Sequence, residues 1–240
     1  ILKKKEDVFY ALQTFFKLLL PDLTYTENQV LDKALVSVYK KFGITDKNET
    51  IFKDNGEVKK MPIISDLYDE LKQYQEANRL FGVLEKFVDG SARNFNQQTN
   101  VSLDNEFTVI DISKLKGDLL TIGTFIAFEY VKAKAMEDRT KKKTVIFDEL
   151  WKLIGSSSNT MAAENVLEFF KIIRGFGGNI IGGTQDIKDY YALEGGKYGE
   201  GIISNSKIKV ILNLEHKEAL QVMDDLNLSE NEIRRIENFK

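Results

Sequence analysis

The chain has 240 residues, 42% of them hydrophobic, which is enough for one large domain or for a core with a smaller subdomain. It carries 34 Lys and Arg against 37 Asp and Glu, and this formal net charge of −3 excludes a general basic field of the kind that binds nucleic-acid backbones. Because it has no cysteine and a single histidine, His216, disulfides, thiolate nucleophiles and zinc sites built from cysteine or several histidines are excluded, and a reducing, cytoplasmic compartment is favoured.

The first hundred residues have the spacing of amphipathic helices. Apolar residues recur three and four positions apart in VFYALQTFFKLLL, NQVLDKALVSVYKKF, ISDLYDELKQY and NRLFGVLEKFV. The polar run TDKNETIFKDNGEVKKMP interrupts this pattern and predicts a surface connection between helices. We therefore predict a helical subdomain over residues 1–100, on the amino-terminal side of a second region over residues 101–240.

The second region predicts an α/β fold. Short, β-branched, apolar runs alternate there with stretches of helical spacing. These runs are FTVIDI (107–112), TVIFDE (144–149), NIIGGTQ (179–185) and KIKVILNL (207–214). The alternation predicts an open, mostly parallel sheet flanked by helices on both faces, with helices at about residues 118–138 and 161–176. Two short helices are predicted near the carboxyl end, the second with Ser229 and Glu232 as a capping box.

Polar side chains stand where the predicted strands end. Asp111, Asp148, Glu149 and Gln185 each lie at the carboxyl end of an apolar run. Open α/β sheets bind their ligands at this edge. These side chains can therefore converge on one crevice although they are far apart in sequence.

The adjacent acids Asp148 and Glu149 match the second motif of P-loop ATPases, which is an apolar strand that ends in Asp-Glu. In that motif the first carboxylate orients a water on Mg²⁺, and the second polarises the water that attacks the γ-phosphate of ATP. The alternative is that the pair begins a helix, where negative charge near the amino end is favourable.

Thr184 and Gln185 end the next predicted strand. A polar residue at that position, beside an Asp-Glu strand, can contact the γ-phosphate or the attacking water, whereas Gln185 considered alone also fits a loop amide bonded to backbone. Arg174 precedes a glycine-rich stretch at the end of the intervening helix. Two roles stay open for it, a cap of that helix or an arginine finger directed at phosphates bound by a neighbouring subunit.

The order of these motifs resembles the carboxyl-terminal part of the ATPases that energise bacterial conjugation and type IV secretion. The resemblance covers about residues 107–240. It is carried by an Asp-Glu-x-Trp strand, an Arg before glycines, a Thr-Gln strand tip, an Asn-Ser before an apolar strand, and a final Leu-Ser-x-x-Glu helix.

This resemblance implies a RecA-like P-loop ATPase that uses ATP and Mg²⁺ in ring-shaped, hexameric oligomers. Its implied partners are secretion-channel or coupling proteins at the inner membrane, which places the protein in the cytoplasm, peripheral to the membrane. The implied roles are Asp148 as Mg²⁺ ligand through water, Glu149 as activator of the attacking water, Thr184 and Gln185 at the γ-phosphate, and Arg174 as candidate arginine finger. Residues 1–100 would be the helical insertion of that ATPase domain.

The sequence has no phosphate loop of the form G-x-x-x-x-G-K-[ST], whose backbone and lysine would hold the β- and γ-phosphates. The nearest cluster, LEGGKYGEGI (193–202), has Tyr198 where Ser or Thr would bind Mg²⁺, and we interpret it as a flexible loop. In the resembled family the phosphate loop precedes the helical insertion. We therefore expect that the chain begins just downstream of the loop and is inactive on its own.

Two other functions fit the same sequence. A DNA translocase or coupling-type ATPase would share the sheet and the acidic strand, although the net charge does not support DNA binding. A non-enzymatic, ATPase-like scaffold would account for the missing phosphate loop. The aromatic residues Trp151 and Phe169 are interpreted as core residues rather than as a stacking platform.

Overall fold

The computed structural model describes residues 5–102, 105–154 and 160–239, and within these ranges the chain forms ten α-helices and two β-strands. The helices before the first strand are α1 (Lys5–Leu19), α2 (Tyr25–Lys41), α3 (Ile64–Leu71), α4 (Asn78–Val88) and α5 (Asp118–Glu137). The remaining elements are β1 (Lys143–Phe147), α6 (Trp151–Ile154), α7 (Thr160–Ile172), β2 (Gly178–Gly182), α8 (Lys197–Asn205), α9 (His216–Leu226) and α10 (Glu230–Glu237).

Helices α1 to α4 form the helical half of the molecule around one hydrophobic core. Helix α2 begins at a capping box in which the Thr24 hydroxyl accepts from the Glu27 N–H and the Glu27 carboxylate accepts from the Thr24 N–H. Its apolar residues recur at helical spacing, so they face α3 and α4 together. The largest fully buried side chains of this first core are Phe16, Leu31, Leu35, Leu71, Leu80, Leu84 and Phe87.

The sheet consists of β1 and β2, paired in parallel with Lys143 opposite Gly178 and Phe147 opposite Gly182. Helices α6 and α7 connect the two strands, which is the connection that parallel pairing requires. Val145 of β1 lies in a second hydrophobic core, built mainly from α5, α6, α7 and α8. The opposite face of the sheet is bare, because Ile146 and Ile181 keep 66% and 52% of their surface exposed.

Two of the four predicted strands are wrong. Residues 107–112 and 207–214 form no strand and pair with neither β1 nor β2. Their apolar side chains stay in solvent, with Phe107 82% exposed and Ile208 85% exposed. The sequence pattern shows apolar, β-branched residues, but a strand also needs a neighbouring backbone for its hydrogen bonds. Within the described residues, β1 and β2 pair only with each other.

Helix α5 belongs to both cores. Ile122 and Phe125 pack in the first core, whereas Phe128 and Ala135 pack in the second. This explains why α5 carries apolar residues around most of its circumference rather than along one stripe. The domain boundary that we placed between residues 100 and 101 stays a prediction.

The cluster LEGGKYGEGI is not a flexible loop, because α8 begins inside it at Lys197. Tyr198 is buried, and a Cβ added at Gly199 would lie 2.0 Å from the Tyr190 carbonyl oxygen. The glycine there allows α8 to approach the neighbouring backbone closely. In the described part of the chain no helix has the length and apolar character that crossing a bilayer demands.

Candidate functional site

The carboxyl ends of β1 and β2 hold the predicted polar residues side by side. The ladder continues one step beyond the strands, because Gly183 N–H donates to the Phe147 carbonyl at 2.8 Å and Leu150 N–H donates to the Gly183 carbonyl at 3.1 Å. Asp148 and Glu149 lie between those two bonds. The turn that carries the acid pair is therefore fixed against the residues that lead to Thr184 and Gln185.

Glu149 is bonded at both carboxylate oxygens. Its Oε1 accepts from Gln185 Nε2 at 2.7 Å, and its Oε2 accepts from the indole Nε1 of Trp151. The proximity of Glu149 and Gln185 that the strand-edge argument predicted is thus present in the structure. A carboxylate held by two donors has a defined direction, as a general base requires.

The backbone of Glu149 adopts a left-handed conformation, with φ of +57°. Such a conformation costs a non-glycine residue about 1–3 kcal/mol and clusters at functional sites. The neighbouring Leu150 is 1% exposed and anchors the turn in the second core. The surrounding packing therefore holds Glu149 in a conformation that it would not adopt alone.

Asp148 is exposed, and its carboxylate lies beside Gly183, where an added Cβ would stand 3.8 Å from Oδ1. The Thr184 hydroxyl donates to the Asp186 carbonyl at 2.9 Å, so it would have to turn to contact a phosphate. The pKa of Asp189 is raised by burial and by the nearby charges of Asp186 and Glu149. The carboxylates of Asp186, Asp189 and Glu149 therefore lie close enough to influence one another.

Two predicted residues do not join this group. Arg174 is exposed and precedes β2, so it lies at the opposite end of the two strands from Glu149. Asp111 lies in a stretch that forms no strand, and its predicted convergence with the other acids is wrong. Its carboxylate instead accepts from the Ser113 N–H at 2.8 Å, and hydrogen bonds from Ser113 lower the pKa of Asp111.

Trp151 lies at the site and not in the core, where its aromatic character had placed it. The side chain is only half-buried, and its indole N–H bonds the Glu149 carboxylate. Phe169, assigned to the core in the same way, is fully buried there. The signal that could have separated them is position, because Trp151 follows the acid pair by two residues.

This arrangement can orient a water molecule and accept a proton from it. Glu149 supplies the carboxylate, Gln185 supplies an exposed amide on the same edge, and Asp148 supplies an exposed oxygen ligand next to them. Carboxylate oxygens are the ligands that Mg²⁺ prefers. The arrangement therefore places a carboxylate that can accept a proton next to an exposed oxygen ligand.

Comparisons with known proteins agree with the fold and with the family that the sequence resembles. Residues 2–238 match the family described as the TraG P-loop domain. Among solved structures, VirB4 of Thermoanaerobacter pseudethanolicus superposes with a TM-score of 0.81 and 27% sequence identity. That superposition covers 97% of this chain and 63% of the VirB4 chain, so this chain spans less than two thirds of its relative. None of the curated proteins searched matches the chain.

Proposed function

Because the chain belongs to the TraG P-loop domain family, we propose that it is part of an ATP-hydrolysing motor that energises conjugative transfer or type IV secretion. The observation that carries this proposal is the parallel pairing of β1 with β2, which sets Glu149 Oε1 2.7 Å from Gln185 Nε2 at one strand edge. An acidic strand and a neighbouring polar strand tip are the parts that P-loop ATPases use to position the attacking water.

Each residue of the strand edge has a role in this proposal. Glu149 takes a proton from the attacking water, Gln185 and Thr184 contact the γ-phosphate, and Asp148 holds Mg²⁺ through a water. When bound, ATP supplies the phosphoryl group and Mg²⁺ neutralises the charge that develops on it. The residues of this chain bind the phosphate and Mg²⁺, orient the attacking water and accept its proton.

The residues at the strand edge fit Mg²⁺ in one specific way. Within the described ranges no group of three or more His, Cys, Asp or Glu side chains could enclose a metal ion. Mg²⁺ in nucleotide sites takes one or two carboxylates and completes its shell with phosphate oxygens and water. A single exposed carboxylate, that of Asp148, is therefore sufficient here.

Arg174 can serve as an arginine finger only for another subunit. Its place before β2 puts it at the edge of the sheet away from Glu149 of its own chain. Subunits arranged in a ring would bring this edge of one copy toward the nucleotide of the next. We propose such a ring, attached peripherally to the cytoplasmic face of the membrane through secretion-channel or coupling proteins.

The phosphate loop is the missing part of the site. The 240 residues contain no G-x-x-x-x-G-K-[ST] motif, and the Gly-Lys cluster at 193–202 lies partly in α8 with Tyr198 buried. We propose that this loop is supplied from outside these 240 residues. The full-length protein would then hydrolyse ATP, whereas the 240-residue chain would not.

The test is the turnover of the full-length protein carrying Glu149→Gln. Removing the base should lower ATP turnover by about a hundredfold or more, while ATP binding persists. Glu168→Gln, which changes an exposed glutamate on α7, is the matched control and should keep wild-type turnover. Undiminished hydrolysis by Glu149→Gln would contradict the proposal.

The same assay separates secretion from DNA translocation. Hydrolysis that rises several-fold when duplex DNA is added would assign the motor to the DNA-translocating type. Hydrolysis that DNA leaves unchanged would support secretion, in agreement with the net charge of −3.

A further inference from the structure

The Glu149 carboxylate accepts from two donors that differ in exposure and in the element that carries them. Gln185 is exposed and follows the end of β2, whereas Trp151 is half-buried and opens helix α6. The amide of Gln185 can leave Glu149 by a rotation of its side chain alone. The indole of Trp151 reaches Glu149 from the first residue of α6, two positions along the chain.

The position of Trp151 is set by the core beneath α6. Leu150, Leu153 and Ile154 are all buried in the second core, on both sides of Trp151 in sequence. The Leu150 N–H also donates to the Gly183 carbonyl, which connects the start of α6 to the end of β2. The backbone of Trp151 therefore stands between buried neighbours, and the indole N–H is presented to Glu149 from that position.

The backbone of Glu149 makes this support necessary. With φ of +57°, the residue lies in a region that a glutamate adopts only when its surroundings hold it. The turn fixes where the side chain starts, and the two donors fix where the carboxylate points. Loss of the indole N–H would remove the donor that Oε2 has among the described residues and allow the carboxylate to rotate.

From this geometry we propose that Trp151 is a positioning residue for the hydrolysis. Its indole N–H holds Oε2 of Glu149 in place, while the attacking water replaces the Gln185 amide at Oε1. The inference rests on the proposed function, because it assigns the orientation of the base proposed above. In this proposal Trp151 acts on the reaction through its hydrogen bond to Glu149.

The test replaces Trp151 in the full-length protein in two ways. Trp151→Phe removes the N–H and part of the ring, and benzothienylalanine at position 151 keeps the shape of the indole and removes only the N–H. Both should lower kcat for ATP by about tenfold to a hundredfold, the scale of a misplaced catalytic group. KM should stay within about threefold, because the interaction matters in the transition state and not in ATP binding.

A control variant separates orientation from general loosening. Phe170 packs against the same second core, and none of its contacts includes Glu149 among the hydrogen bonds and ring contacts of the described residues. Phe170→Leu should keep the wild-type kcat. If it loses activity as much as the benzothienylalanine protein does, core packing and not the indole N–H explains the loss, and the proposal fails.

A second readout does not depend on activity. In protein labelled with ¹⁵N in its indole groups, the Trp151 resonance is the one that disappears in Trp151→Phe. Glu149→Ala should shift this resonance because the acceptor is removed, and Phe170→Leu should leave it in place. An indole resonance unaffected by Glu149→Ala would overturn the proposal.

The outcomes distinguish this inference from the proposed function. A Glu149→Gln protein that hydrolyses ATP normally contradicts the proposed function itself. A Glu149→Gln protein that is inactive, together with a fully active benzothienylalanine protein, keeps the function and overturns the positioning role of Trp151.

Discussion

The helical half and the α/β half of the molecule differ in how completely they bury their apolar residues. In the helical half, α1 to α4 enclose a core whose large side chains are almost inaccessible, such as Leu35 and Phe87. In the α/β half, Phe107, Ile146 and Ile208 point into solvent although their sequence pattern is that of strands. Helices satisfy their hydrogen bonds internally, whereas strands depend on neighbouring strands, so apolar residues in a helical pattern are buried more readily than those in an unpaired strand pattern.

The two halves also differ in whether their features favour stability or function. The helical half contains the capping box of α2 and tightly packed leucines, which are features of a scaffold. The α/β half contains the strained Glu149, the exposed Gln185 and the acids around Asp189. Exposed polar groups and backbone strain reduce stability, and proteins keep them where binding or chemistry requires them.

The sharpest test of the comparison is a pair of identical substitutions. Phe87→Ala should lower the free energy of unfolding of the chain by about 3–5 kcal/mol, because it leaves a cavity in the first core. Phe107→Ala should change it by less than about 0.5 kcal/mol, since Phe107 is exposed. Urea denaturation followed by circular dichroism measures both. An equal loss from the two variants would show that residues 107–112 are packed.

Glycine substitutions in one helix of each half should have opposite signs. Gly199→Ala in α8 should destabilise the chain by about 1–3 kcal/mol, because its Cβ would collide with the Tyr190 carbonyl. Gly82→Ala in α4 meets no atom within 4 Å, and it should stabilise the chain by about 0.5–1 kcal/mol through helix propensity. Thermal unfolding of the two variants gives the signs directly, and a stabilising Gly199→Ala would contradict the close packing of α8.

Removal of the two capping hydroxyls should lower stability over different parts of the chain. The effect of Thr24 should be global, and that of Ser229 should be confined to α10. Thr24→Ala should lower the global free energy of unfolding by about 1 kcal/mol, because α2 contributes Val30, Leu31 and Leu35 to the first core. Ser229→Ala breaks the same kind of capping box in α10, which buries only Ile233 among its described residues. Hydrogen exchange should therefore show local fraying of α10 with unchanged protection of α2. Loss of protection throughout the chain in Ser229→Ala would contradict this.

Lowering the pH should change the stability contributions of Glu70, in the helical half, and of Asp189, in the α/β half, in opposite directions. This is the smallest of the expected effects. Burial alone raises the pKa of Glu70, but hydrogen bonds from Lys41 and Ser37 outweigh it and leave the pKa lowered. That contribution to stability is present above the ordinary glutamate pKa and is lost as pH falls through the lowered value. The raised pKa of Asp189 does the reverse, because its destabilising charge is neutralised as pH falls through the raised value.

Two variants isolate these contributions. Glu70→Gln should weaken the loss of stability that sets in below the ordinary glutamate pKa of about 4.3, with unfolding measured from pH 7 down to about pH 2. Asp189→Asn should raise stability at neutral pH and make the acid loss steeper. Unfolding free energies measured across this pH range decide both, and two curves that shift in the same direction would contradict the assignment.

Much of the fold followed from local pattern. The three-and-four spacing predicted helices where α2, α4, α5 and α7 occur, and the Ser229 capping box is present as expected. The predicted fold class and the resemblance to conjugation and type IV secretion ATPases are confirmed by the family match and by the VirB4 superposition. The nearness of Glu149 to Gln185 followed from the rule that parallel strands end at one edge. Their catalytic roles stay predictions.

The parts that failed depend on partners or on unusual backbone geometry. The runs at 107–112 and 207–214 look like strands because of their side chains, but strand formation is decided by an adjacent backbone. Helix α8 was missed because its glycines lower helix propensity. Close contacts explain them, since a Cβ at Gly199 would meet the Tyr190 carbonyl and one at Gly201 would meet the Leu167 side chain. The bond from Trp151 to Glu149 needs a left-handed glutamate, which no sequence pattern encodes.

Helix α5 has a mechanical consequence. Its 20 residues span about 30 Å, and it is clamped by one core near its start and by the other near its end. The end of α5 is joined to the start of β1, because the Lys143 ammonium donates to the carbonyl oxygens of Ala135 and Asp138. One helix and one strand of five residues thus form a continuous structural path from the first core to the acid pair.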